Sequence, residues 1–234
     1  MSVLTRDVLG STARAMPWLP PVAASVVATA VVARLDDGGA LPLQVAAVVL
    51  ASGLGYALDD PAFEIIGSSP VSLWQRRQHR LVLVLPPTVL LFFALLVWHG
   101  TADRSEALAL GAMFAGLVGL ALGIAGTAAR RSPRGLGGIA VAPTLFATLI
   151  MSTLFAPRWR PLPIGDIPGG WPAIIARWSA AAVIGLAVLA ISSRDRAARG
   201  SGWRPDPRSP TSPPRRDDHG AAHPRGRRRA ASAR

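Results

Sequence analysis

The chain of 234 residues contains no cysteine and no lysine; all 25 of its basic residues are arginine. Without cysteine there is no disulfide framework, thiolate metal site or cysteine nucleophile. Without lysine the phosphate-binding loop G-x-x-x-x-G-K-[ST] is excluded, so the chain is not its own P-loop ATPase. Acidic residues are also few, 13 in all, and histidines number four. His79 stands among arginines, His99 closes an apolar run, and His219 and His223 lie in a polar tail, so no metal-ligating set is expected. G-x-S-x-G is absent, which removes the usual serine-hydrolase elbow.

What is present is an uncommon pairing of oil and positive charge. Half of the residues are hydrophobic, the formal net charge is +12, and mean hydropathy is +0.36. The two properties separate along the chain. Residues 193–234 carry 12 arginines against 4 aspartates. With six prolines there and Trp203 as the only large apolar side chain, this stretch cannot bury a core and is expected to be disordered.

Residues 1–192 contain six apolar runs near the length of about 20 residues that a helix needs to cross hydrocarbon about 30 Å thick. They fall at 16–33, 40–58, 81–99, 107–129, 136–156 and 172–192, with Arg177 the one formal charge well inside a run. A cleaved leader does not fit the first of them. Asp7 precedes it, and Arg34, Asp36 and Asp37 follow in place of a small-residue cleavage site. Arginine placement orients the spans. Arg6, Arg14, Arg76, Arg77, Arg80, Arg130, Arg131, Arg134 and the tail fall on one side, against Arg34, Arg104, Arg158 and Arg160 on the other. The fold class expected is an all-α integral membrane protein with six transmembrane helices, both termini cytoplasmic and a disordered basic C-terminal tail. It divides into an interfacial segment 1–15, a membrane domain 16–192 and the tail 193–234. The expected location is a cell membrane, crossed several times.

In the fourth run Gly116, Gly119, Gly123 and Gly126 recur at spacings of 3, 4 and 3, on one helical face. Small faces let helix backbones approach closely in lipid. Packing within the chain is preferred over an oligomer interface. Pro86, Pro87 and Pro143 are expected to bend or loosen their helices.

The first loop on the arginine-rich side, 59–80, is the most informative segment. Asp60 before Pro61, and Ser69 before Pro70, are two N-cap and proline pairs, each opening a short helix. The second helix runs on into the third span. Phe63 and Trp74 supply apolar surface, and Arg76, Arg77 and Arg80 fall where lipid phosphates would be. Two roles fit: an interfacial anchor that sets topology, or a docking surface for a cytoplasmic motor subunit. Asp59 and Asp60 both have a capping explanation and lack a second intramembrane aspartate, so an aspartyl-protease reading of Gly53-x-Gly55 fails.

Ala57-Leu58-Asp59-Asp60-Pro61-Ala62, followed by Ser69-Pro70 and the arginine cluster, resembles the small permease subunits of type 2 ABC transporters, in particular actinobacterial ones. The arginine-bearing entry segment 2–14, with Val3, Leu4, Val8 and Leu9, is similar to that family's amphipathic entry helix. The resemblance implies an ATP-binding cassette subunit as partner, with 60–80 as the coupling element that meets it, and a homodimer or a second permease subunit. It implies transport of a hydrophobic or amphipathic substrate, with no catalytic residue and no cofactor in this chain. Anionic lipid is the partner expected for the tail, with nucleic acid disfavoured because Arg225–Arg229 has no interleaved aromatic. The alternative function is a non-transporting anchoring or assembly protein acting through that tail.

Overall fold

The computed structural model describes residues 10, 13, 14, 16–35, 39–59, 73–100, 103–132, 136–154 and 170–193. The described residues form six α-helices and no strand. They are α1 (Leu19–Arg34), α2 (Leu41–Gly55), α3 (Leu73–Trp98), α4 (Arg104–Arg131), α5 (Gly138–Leu154) and α6 (Gly170–Ser192), with a 3-10 turn Tyr56–Leu58 extending α2. Each of the six apolar runs coincides with one helix. Most of the expected segment 1–15 and all of the tail beyond Ser193 lie outside the described residues.

Local chemistry explains the boundaries. Pro20 and Pro21 open α1, and Pro42 opens α2, at positions where a missing N–H costs nothing. Asp103 caps α4: its carboxylate accepts from the Ser105 backbone N–H at 3.0 Å and from the Ser105 hydroxyl at 2.6 Å. These bonds hold the Asp103 carboxyl below its ordinary pKa. Glu106 in the first turn and Arg130 and Arg131 in the last complement the helix dipole. Substituting Asp103→Ala is therefore expected to speed amide exchange in the first turn of α4 and leave the middle of that helix unchanged. Gly100, at φ +73°, closes α3 in the left-handed conformation that favours glycine. The prolines do not end their helices: α3 runs through Pro86 and Pro87, and α5 through Pro143.

Among the described residues, four helices are long and apolar enough to cross a bilayer: α2 with its 3-10 turn, α3 from Trp74, α4 and α6. The other two are shorter. The 16 residues of α1 rise only about 24 Å at 1.5 Å per residue, because the proline cluster delays its start to Leu19. α5 starts late too, at Gly138, beyond the point where the apolar run 136–156 begins.

α2 occupies the centre and is buried along most of its length, whereas α3 and α6 leave most of theirs uncovered. Leu43, Leu50 and Leu54 of α2 join Leu110, Met113 and Leu117 of α4, and Leu145 of α5, in one core. Phe92 of α3 stacks on Phe114 of α4, with ring centroids 4.2 Å apart. The outward faces are apolar as well: Leu19, Leu90, Val97, Ile150 and Val183 are all exposed. That is the pattern of helices packed together with hydrocarbon around them, since a bundle in water turns such side chains inward.

The glycine face of α4 lies against α6. A methyl group added at Gly119 would come within 2.8 Å of the Ala182 carbonyl and Cα, and one at Gly123 within 3.0 Å of the Gly185 carbonyl. At Gly116 it would meet the Trp178 ring and at Gly126 the Ser192 hydroxyl. Gly185 returns the contact, its own missing side chain leaving room for the Gly119 backbone. α4 and α6 thus meet backbone to backbone from Gly116 to Gly123, about two turns at 3.6 residues per turn.

Candidate functional site: a buried arginine clasp

Five helix ends converge at one end of the bundle: α2 finishes there, α3 begins, α4 finishes, α5 begins and α6 finishes. A chain of buried polar contacts ties four of them. Asp59, just past the 3-10 turn, accepts on Oδ1 from the backbone N–H groups of Gly137, at 2.6 Å, and Gly138, at 2.7 Å. It therefore caps α5, 78 residues further along the chain. Asp59 is an N-cap in effect, for a helix distant in sequence.

The two glycines are what allow this approach. A side chain at Gly137 would strike the Ala125 carbonyl of α4, and one at Gly138 would come within 2.7 Å of Tyr56. Placed there, the carboxylate answers both the free N–H groups and the positive end of the α5 dipole.

Two arginines of α3 complete the clasp. Arg80 Nη1 donates to the backbone carbonyl of Asp59. Arg77 Nη1 donates to Ser193 Oγ at 2.7 Å and to the Ser192 carbonyl at 3.3 Å, a cation seated on the C-terminus of α6. Relative exposure is 4% for Arg77, 7% for Arg80 and 6% for Asp59. The expectation that Arg77 and Arg80 face lipid phosphates is thereby corrected. Their guanidinium groups point into the bundle, because they share the helical face that buries Val84, Thr88, Phe92 and Leu95. Of the three arginines Arg76 is the less buried, and Trp74, 38% exposed, stands on the first turn of α3.

Burial raises the Asp59 pKa above its ordinary value, against the opposing pull of the Gly138 and Gly137 N–H groups and of the Arg80 charge. Desolvation disfavours the carboxylate more than its partners favour it.

Asp60, Pro61, Phe63, Ser69 and Pro70 lie outside the described residues. The structure does describe both roots of the segment that contains them. Asp59 at its entry is bonded to α5 and α3, and α3 at its exit is bonded to α6. Gly137, Gly138, Ser192 and Ser193 belong to this site without having been singled out from sequence. The arginines carried a readable signal: continuing the buried i, i+3, i+4 series of α3 backward from Val84 reaches both Arg80 and Arg77. Arg177 stands on an exposed face of α6. No group of three or more histidines and carboxylates able to hold a metal occurs among the described residues.

An all-helical bundle with four helices able to cross a membrane, closed at one end by buried arginines, is the class that fold and site define. No family model, curated protein or solved structure matches the chain.

Proposed function

We propose that the chain is the membrane-spanning permease subunit of an ATP-driven transporter, working with a separate ATP-binding cassette subunit on a hydrophobic or amphipathic substrate. In this reading all six helices cross the plasma membrane of a bacterium, the shorter α1 and α5 with local thinning of the bilayer. The clasp end and both termini face the cytoplasm, and the chain pairs with a second copy or a second permease. The observation that carries the reading is the anchoring of the loop 60–72 at both roots. Force delivered to the roots of that loop by a motor subunit reaches α5 through Asp59 and α6 through Arg77. The lack of lysine, and with it of a P-loop, in this sequence supports the reading that ATP is hydrolysed by a partner subunit. Alternating access then consists of tilting these helices against the central α2, a small sliding of packed elements.

Purification in mild detergent tests the proposal. A stoichiometric ATPase subunit is expected to accompany the wild-type chain, and Trp74→Ala with Arg76→Glu to reduce that association by about tenfold, or about 1.4 kcal/mol. Removal of residues 196–234, which leaves the Arg77 contacts to Ser192 and Ser193 intact, is expected to preserve both association and transport. If no ATPase subunit is recovered and the double variant transports normally, the proposal fails.

A further inference from the structure

The side of the bundle between α1, α2 and α5 is not closed by protein. A groove of about 490 Å³ opens there. Its floor is Ser52 and Gly53 of the buried α2, and its walls are Leu19, Ala23 and Val27 of α1 and Phe146 of α5. The Ser52 hydroxyl donates to the Val48 carbonyl at 2.7 Å, so it adds no free polar group to the floor. A groove of this size, within the range of about 300–1,000 Å³ for small-molecule sites, and with this lining, suits a flexible chain of methylenes.

The two ends of the groove differ. Along α1 it runs from Leu19 to Val27, about 12 Å at 1.5 Å per residue. It starts at the bundle end that carries the arginines. Immediately before Leu19, the Trp18 indole N–H donates to the Ala13 carbonyl at 2.6 Å, which ties residues 13 and 14 to the start of α1, the helix whose first residue opens the groove. Arg14 is exposed there, Arg131 is exposed at the same end on α4, and the Asp59 carboxylate is already engaged by α5. An apolar trough with cations at one end is complementary to a molecule with a long apolar chain and an anionic head. We propose that this groove binds one acyl chain of an anionic phospholipid of the surrounding bilayer, with its phosphate at Arg14. The site is independent of whether the chain transports anything.

Native mass spectrometry of the full chain, purified in mild detergent and supplied with phosphatidylglycerol or phosphatidylcholine, tests the assignment. The wild type is expected to retain one phosphatidylglycerol. Ala23→Phe, which fills the groove from an exposed wall, is expected to weaken retention by about tenfold, as loss of a buried acyl segment does. Val26→Phe, also exposed on α1 but outside the groove, keeps it. Arg14→Gln is expected to reduce the preference for phosphatidylglycerol over phosphatidylcholine by about fivefold, the effect of one arginine at a membrane surface. Absence of a one-to-one phosphatidylglycerol adduct, equal retention by Ala23→Phe and Val26→Phe, or an unchanged preference in Arg14→Gln overturns the proposal.

Discussion

Replacing Gly119 with leucine is expected to separate α4 from α6 and to lower stability by the upper part of the about 1–3 kcal/mol typical of overpacking. The reason lies in what a side chain would meet. At Gly119 the nearest atoms are the Cα and carbonyl of Ala182, both at 2.8 Å, and backbone cannot turn aside as the far end of a flexible side chain can. Gly185 faces the same stretch from α6, so no room exists on either side. With apolar lipid around the bundle, expulsion of water contributes nothing to this pair, and close van der Waals packing is what remains to hold it. Gly119→Ala should show a smaller loss of the same sign. Gly111, on the same helix, gives the control: only the rim of Phe93 comes near, at 3.9 Å. Gly111→Ala should be neutral or stabilising by about 0.5–1 kcal/mol, the ordinary helix preference for alanine. Thermal unfolding in one detergent, followed by circular dichroism, ranks the four proteins. Stability of Gly119→Leu within about 0.5 kcal/mol of wild type, the usual scatter of surface changes, would mean that the two helices are not held by this contact.

The same glycines show how far sequence reaches. Spacings of 3, 4 and 3 put four small residues on one face, and a face of that kind in an apolar helix has close packing as its use. Its partner could not be read, because α6 advertises only Gly185 among alanines, and the pairing depends on which helices become neighbours. The six helices were legible from length and hydropathy alone, since the backbone hydrogen bonds of a buried apolar segment have to be satisfied within the segment. Two of the helix starts were less so. Prolines at 17, 20 and 21 shorten α1, and the start of α5 is fixed by a carboxylate that arrives from the end of α2.

The clasp divides along the same line. Asp59 could be recognised as a capping residue from its chemistry, while the N–H groups it caps are set by tertiary contact. Arg76, Arg77 and Arg80 read together as one basic patch, yet the helical phase of α3 turns Arg77 and Arg80 inward. A charge cluster on a helix has to be divided by face before it is assigned to solvent or lipid. Burial of these two guanidinium groups is tolerable because carbonyls at the ends of α2 and α6 accept from them. Residues 60–72 then leave and return through a fixed frame, the feature on which the proposed coupling depends.

Asp59 separates geometry from charge within that frame. Asp59→Ala removes the acceptor for two buried N–H groups, at an expected cost of about 1–3 kcal/mol for each left unsatisfied. Asp59→Asn keeps an oxygen at the same place, so most of the capping should survive. The two variants also differ from wild type in their response to pH. Burial raises the Asp59 pKa in the folded protein above the ordinary value of 3.8. Between that value and the raised one the folded state binds more proton than the unfolded state. The Asp59 contribution to stability is therefore complete below the ordinary value, declines as pH rises through the raised one, and is constant above it. Asp59→Asn lacks this titration. Its stability relative to wild type should be least at low pH and improve as pH rises through the window, whereas Asp59→Ala should remain less stable than Asp59→Asn throughout. Chemical unfolding in detergent at a series of pH values measures all three. Equal stability of the alanine and asparagine variants at every pH would show that the oxygen does not hold α5. A wild-type curve parallel to that of Asp59→Asn would show that the buried carboxylate does not titrate above its ordinary range.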